Sequence, residues 1–533
     1  MGKVFVRIVI GYKEIFGNAD INLLDLVKGY DPDTMIMLIA NVNFRLFRKH
    51  KDQEILEAYF FKERFHPDQL KVIKSIQSEH ILLFNEKTND HFLQLIFENY
   101  DWLLENKNGK GLFMDFLKCY LKINESAFGE DKTDFSSINT EFFEEFSQIL
   151  FFSKVYEFQR GKNITFQILK IKSLLNYYYV NYPEILLKFY ELNKIENPDL
   201  WVGEILLFLT QQDKNAYHLF DVNNSIISEY FEKISINKIL NKKIGNKELK
   251  CHPIFKVNTD FLILNWNHFF IGLYHSIDFD LFQLYTNIEK KTIYPDYKSI
   301  ISKKVSEEIM FRYIIKKLIK SKASYTTLVF DEKKEGFPDC YLRIGNRVFL
   351  FEFKDYIATS EFLYSYDFSE IETFISNNFI EKGVAQLANF INGFEKFDKK
   401  FDSKIHQKII NLKDIEIIPI LVVSEEFFAT PPLESLLTKT LTLKIKENIK
   451  NFKKVHKFVL LSTEELVNFI TGNNRDDFFK LIFKYSKNKK VLKTPPSFKQ
   501  FPDFKYPINK SYKSDLLLEI FNELPNSEKK ITG

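Results

Sequence analysis

Two residues, Gly345 and Asn346, constrain this chain more than any others. They interrupt FPDCYLRIGNRVFLFEFKDY (residues 337–356), where alternating and apolar runs suited to strands stand on either side. Glycine at the first position of a two-residue loop suits a type II′ turn, whose twist matches that of a hairpin. With Gly345 and Asn346 as the loop, Ile344 pairs with Arg347 and the register follows outward, because a slip of one residue would turn every side chain to the wrong face. Asp339 then falls opposite Glu352, and Phe337 opposite Lys354. Opposed residues stand about 4.5–5.5 Å apart at Cβ and share a face. Side chains alternate along a strand, so Glu352 and Lys354 point the same way. The hairpin thereby gathers Asp339, Glu352 and Lys354 onto one patch.

Carboxylates that close repel unless a cation separates them, and hard divalent ions take oxygen ligands. The patch therefore predicts a Mg²⁺ site. A lysine beside the ion could orient or deprotonate a water, or steady the charge on a transferring phosphate. Asp followed at a distance by Glu-x-Lys is a loose pattern in a chain with 27% charged residues. The turn that forces the opposition distinguishes this match, as does Pro338, which a strand's first position tolerates because it need not donate a ladder bond.

At 533 residues the chain exceeds one hydrophobic core, and two or three domains are expected. Its 45% hydrophobic content is that of an ordinary globular protein, and a net charge of +4 does not by itself announce nucleic acid. The 57 Phe and 26 Tyr read as cores filled with Phe in place of Leu rather than as a stacking surface. Cys119, Cys251 and Cys340 are too scattered for a disulfide framework, which fits a reducing compartment. The opening apolar stretch is too short for a signal peptide and is broken by Arg7. No run approaches 18 uninterrupted apolar residues. A cytoplasmic protein with no membrane association is the expectation.

Residues 1–294 read as a mostly helical region, with apolar residues three and four apart in segments 81–105 and 134–158. VFVRIVI (4–10) and DFLILNWNHFF (260–270) read as strands, the latter breaking at Asn265-Trp266-Asn267. His252, His268 and His275 lack the spacing of a metal pair and are expected to be core or surface residues. From 295 to 472 the order is a helix (298–321), a strand (326–330), the hairpin, a helix (381–394), a strand (415–423), a helix (433–449), a strand (456–462) and a short helix (464–472). That order predicts an α/β fold, a small mixed sheet with helices on its faces. Residues 473–533 form a basic, aromatic extension rich in proline. Its lysines, Lys487, Lys489 and Lys490 among them, suit phosphates, and its aromatics suit unpaired bases. The same composition suits a strap packed on the preceding domain.

The element order, with Phe-Pro-Asp and Glu-Phe-Lys on the central hairpin, resembles the PD-(D/E)XK phosphodiesterase superfamily over roughly residues 295–470. That resemblance implies a restriction-endonuclease-like mixed sheet flanked by helices. It implies Asp339 and Glu352 as ligands of Mg²⁺, with Mn²⁺ able to substitute and with the Phe353 carbonyl assisting. It implies Lys354 as the residue that positions the attacking water. An acidic residue of the first helix commonly completes the site in this family, and Glu307 and Glu308 both qualify, because their apolar stripes adjoin. Gln386, in EKGVAQL, would orient Lys354 or touch backbone phosphate, and Lys382 would contact phosphate. The implied activity is a DNA endonuclease of a bacterial defence or mobile-element system, its N-terminal region meeting a target, a protein partner or a trigger. An RNA nuclease, and an inactive nuclease-fold protein that binds nucleic acid or acts as a scaffold, are the alternatives.

Overall fold

The computed structural model describes residues 8–9, 11–17, 21–48, 50, 54–55, 81–108, 113–128, 163–210, 219–220, 225–288, 292–319, 326–331, 336–356, 368–395, 399–445, 449–471, 478–487 and 514–525. Within these, the fold is mixed α/β with three sheets. Strand β1 (Ile8–Val9) pairs in parallel with β2 (Ile81–Leu82). Strands β3 (Leu219–Phe220), β4 (Ile254–Val257) and β5 (Asp260–Ile263) form an antiparallel sheet. The third sheet holds β6 (Thr326–Phe330), β7 (Cys340–Ile344), β8 (Arg347–Lys354), β9 (Glu416–Val423), β10 (Lys454–Val455) and β11 (Val459–Ser462).

Strand β8 is the centre of that sheet. It pairs antiparallel with β7, which pairs antiparallel with β6, and it runs parallel to β9 on its other side. β10 and β11 both run parallel to β9, meeting it at Glu416–Ile417 and at Ile420–Val423. Burial on both faces explains the near-continuous apolar runs of β8 and β9. Cys340, Leu342, Phe349, Phe351, Phe353, Ile418, Ile420 and Val422 enter one core, while Tyr341, Val348, Leu350, Ile417, Leu421 and Val423 enter another. The strict alternation is the period-two pattern of a sheet covered on both sides.

The first core also takes in the helix Ile164–Asn181, buried on nearly every side, the helical run Tyr294–Leu318, and the helix Ser514–Glu523. One core thus draws on residues from both sides of position 294. The helical run Phe368–Gly393 and the helix Pro431–Lys444 cover the opposite face. A third core joins helices between residues 12 and 128 to β4 and β5.

The sequence reading of the third sheet holds for β6 to β9, whereas the last strand, read over 456–462, is two short ones, β10 and β11. The stretch read as irregular over 357–380 is helical from Phe368, and the run from Lys480, read as an irregular arm, begins within the helix Phe478–Ser486. Ile81 and Leu82, read as helical, are a strand, because apolar residues at that point have β1 to pair with. The second apolar run stops being a strand at Ile263 and becomes the helix Trp266–Ile288. Asn265 turns the chain: its side chain accepts from the N–H groups of Asn267 (2.8 Å) and His268 (3.3 Å), which caps the new helix. His268 proves to be a buried core residue, held by Asp90 at 2.8 Å. Segment 134–158 lies outside the described residues. None of the described helices is long and apolar enough to cross a membrane.

Candidate active site

The turn at 345–346 sets the geometry of the site. Gly345 has φ +60°, while Asn346 stays out of the positive-φ region, the pattern of a type II′ turn. Ile344 pairs with Arg347 and Cys340 with Phe351, so the next step of the ladder brings Asp339 against Glu352. Asp339 turns one oxygen into the hairpin, where Oδ2 accepts from the Phe353 N–H at 2.7 Å. Glu352 is fully buried, and its Oε1 accepts from Lys354 Nζ at 2.8 Å. Its Oε2 is buried with no hydrogen-bond partner.

Lys354 reaches one element further, donating to Gln386 Oε1 at 3.5 Å. Gly383, on the same helical run, packs closely against Leu421 of β9. A Cβ there would lie 3.3 Å from Leu421 Cδ1 and 3.9 Å from Lys354 Cε. Glycine inside a helix costs about 1 kcal/mol relative to alanine, so its presence in EKGVAQL is a sign of close packing that was readable in the sequence. Lys382 lies one turn before Gln386 and is exposed.

Of Glu307 and Glu308, Glu307 is the one that feels the Asp339 charge. That charge opposes the ionisation of Glu307, which is held by Lys303 at 2.6 Å. Glu308 pairs with Lys304 at 3.0 Å and acts on Tyr177 of the Ile164–Asn181 helix instead. Lys303 is a member of the site that the sequence reading missed. Its spacing of four residues before Glu307 is the signal that could have found it.

Burial governs the electrostatics. It pushes the Glu352 carboxyl well above its ordinary pKa, and the Asp339 charge adds to this against the pull of Lys354. Asp339 is raised by burial too, although Lys354 and the Phe353 N–H oppose the rise. Glu307 is raised by burial and then by Asp339. Burial lowers Lys354, but Glu352 and Asp339 more than offset it, leaving the ammonium above its ordinary value. Three carboxyls thus resist ionisation around two firmly charged lysines, Lys354 and Lys303.

Among the described residues no group of three His, Cys, Asp or Glu side chains is arranged to hold a metal ion. The donors nonetheless fit a hard cation in kind: the Asp339 carboxylate and the Glu352 carboxylate, whose Oε2 is orphaned. The Phe353 carbonyl belongs with them. The Lys354 carbonyl accepts from Ser424 N–H at 3.0 Å, towards β9. Successive carbonyls leave a strand on opposite edges, so that of Phe353 turns towards the Asp339 side.

Lys487 lies elsewhere. Its Nζ is 3.7 Å from Glu416 Oε2 and 3.9 Å from the Phe483 ring centre, at the Arg347 end of β8. Roughly 16 Å of strand separates that end from Glu352. Lys489 and Lys490 lie outside the described residues. Arg343, passed over in the sequence reading, is fully buried on β7 and clamped by Asp402 through Nε (2.5 Å) and Nη2 (2.9 Å), with the Tyr341 hydroxyl on the same carboxylate at 2.9 Å.

No family model, no curated protein and no solved structure matches this chain.

Proposed function

We propose that this chain is a Mg²⁺-dependent phosphodiesterase with a restriction-endonuclease-like sheet, and that its substrate is DNA. One observation carries the reading: the hairpin register sets two buried carboxylates against each other with an ammonium 2.8 Å from one of them. Burying acidic groups together raises the energy of the empty site, and that arrangement suits one that is completed by a cation.

In this reading Asp339 and Glu352 hold the ion, with Glu307 as the third carboxylate. The ion would neutralise phosphate charge and acidify a bound water. Lys354 stands beside the ligands and is kept protonated by them. Its ammonium orients the attacking water and offsets the charge that accumulates on the phosphate oxygens as the water oxygen bonds to phosphorus and the P–O bond to the leaving sugar breaks. Gln386 holds Lys354 in line, and the exposed Lys382 would meet backbone phosphate.

A second reading has its own support. Lys354–Glu352 and Lys303–Glu307 are closed ion pairs, which suits an inactive nuclease-fold protein that binds nucleic acid. Incubating the chain with supercoiled plasmid and a structured RNA, in Mg²⁺ and in EDTA, separates the two. Metal-dependent nicking that Asp339→Ala abolishes supports the enzyme, and cleavage of the RNA alone would move the substrate to RNA. No cleavage of either in Mg²⁺ or Mn²⁺ would leave the binding protein.

A further inference from the structure

Strand β8 ends at Lys354, and the two residues after it diverge. Asp355 turns to the first core, where its charge acts on Lys170 of the Ile164–Asn181 helix and on Lys298. Tyr356 turns to the opposite face, the one that Leu350, Glu352 and Lys354 share, and packs against the second core. The two-residue alternation of the strand thus continues past its last ladder bond. Ser424, just beyond β9, ties the segment down. Its N–H donates to the Lys354 carbonyl at 3.0 Å and its hydroxyl to the Tyr356 carbonyl at 3.3 Å.

The Tyr356 ring is fixed while its hydroxyl is unengaged. The ring centre lies 6.0 Å from that of Phe374 and 5.4 Å from that of Phe379, both nearly edge-on at 73° and 74°. Edge-to-face pairs add their own attraction to that of burial. Phe374 and Phe379 belong to the helical run that also carries Gln386, the partner of Lys354. Tyr356 is half-buried, and among the described residues its hydroxyl has no hydrogen-bond partner. Burial raises the phenol above its ordinary pKa, with Lys354 opposing the rise and Glu352 adding to it. The oxygen therefore keeps its proton and has a hydrogen bond to give.

We propose that the Tyr356 hydroxyl holds the substrate strand by donating to the backbone phosphate next to the one that is cut. This role rests on the nuclease reading, in which Lys354 serves the scissile phosphate. Tyr356 stands on the same face two residues further, about 7 Å along the chain. Tyrosine is among the neutral side chains that meet nucleic-acid phosphates, and such contacts fix register without reading sequence. A flat ring with two side-chain torsions presents its donor at little entropic cost. The charge on a phosphate oxygen makes the bond stronger than one between neutral groups. Asp355 does not oppose it, because that carboxylate is turned towards Lys170.

The test is Tyr356→Phe, which removes the hydroxyl and keeps the ring against Phe374 and Phe379. Initial rates of plasmid nicking in Mg²⁺ are measured against plasmid concentration, at several salt concentrations, for parent and variant. The variant is expected to raise KM about tenfold or more and to change kcat by less than about threefold, the signature of a contact made equally before and during the reaction. A neutral hydroxyl releases no counterion. The dependence of log KM on log salt is therefore expected to keep the parent's slope, where loss of a charged contact would flatten it by about 0.9. An unchanged KM, beside a parent that nicks, would overturn this role and leave the nuclease reading standing. A fall in kcat at constant KM would also overturn it, because the hydroxyl would then act at the cut phosphate. A parent that never nicks would overturn both.

Discussion

Replacing Glu352 by glutamine tests the electrostatics of the site without any substrate. In the unfolded chain Glu352 ionises near pH 4.3. In the folded chain burial, and then Asp339, hold the proton on to a higher pH. A group whose folded pKa is raised contributes stability that is present in full below its unfolded pKa and is lost as pH rises through its folded pKa. Each unit of that elevation costs about 1.4 kcal/mol once the group is ionised. Glutamine mimics the protonated carboxyl at every pH, so Glu352→Gln should match the parent below about pH 4 and exceed it near about pH 8. The gain is limited by the loss of the Lys354 partner at 2.8 Å, although Asp339 still attracts that ammonium. A net advantage on the order of 1–3 kcal/mol follows, from relieving a fully buried charge with one unpartnered oxygen. Differential scanning in EDTA should show it as a melting temperature about 1–3 °C above the parent at the higher pH. A variant that is less stable than the parent at the higher pH, or a difference that does not change with pH, would refute the reasoning.

Other substitutions separate neighbouring roles. Glu307→Gln should weaken Mg²⁺ binding, read by calorimetry, by about 10–100-fold, while Glu308→Gln, whose carboxylate serves Lys304, should leave it unchanged; equal effects would undo the choice between them. Asp402→Ala strands the buried Arg343 and should cost about 3–5 kcal/mol in denaturant unfolding; a loss under about 1 kcal/mol would mean that the clamp is replaceable. Lys487→Ala should leave the salt dependence of nucleic-acid binding as it is, since one lost phosphate contact would lower the slope by about 0.9 and Lys487 pairs with Glu416 away from the site.

The hairpin was legible because its register depends on local chemistry. Glycine at position 345 fixes the turn, the turn fixes the pairing, and the pairing places Asp339 against Glu352. Most of the order of strands and helices after residue 295 was legible because apolar runs of strand length alternate there with helical periodicity. The helix from Phe368 and the separate strand at Lys454–Val455 escaped that pattern. Long-range facts were not legible. Periodicity left Glu307 and Glu308 equivalent, and only the packing of their helix against the Ile164–Asn181 helix turns Glu308 away from Asp339. Arg343 looked like an ordinary polar strand residue because its partner, Asp402, lies 59 positions away. The lysines near residue 487 formed a basic run on paper, yet Lys487 is drawn to Glu416 at the far end of the sheet.

The most direct test of the central claim is to measure cutting and binding together in Lys354→Ala. Lys354 touches Glu352 and Gln386 and stands beside the proposed ligands rather than among them, so its contribution belongs to the transition state. A contact made only there lowers turnover far more than affinity. The account predicts that the variant binds duplex DNA within about threefold of the parent, a difference of under 1 kcal/mol, and does not nick plasmid in Mg²⁺. Normal nicking by the variant would contradict it.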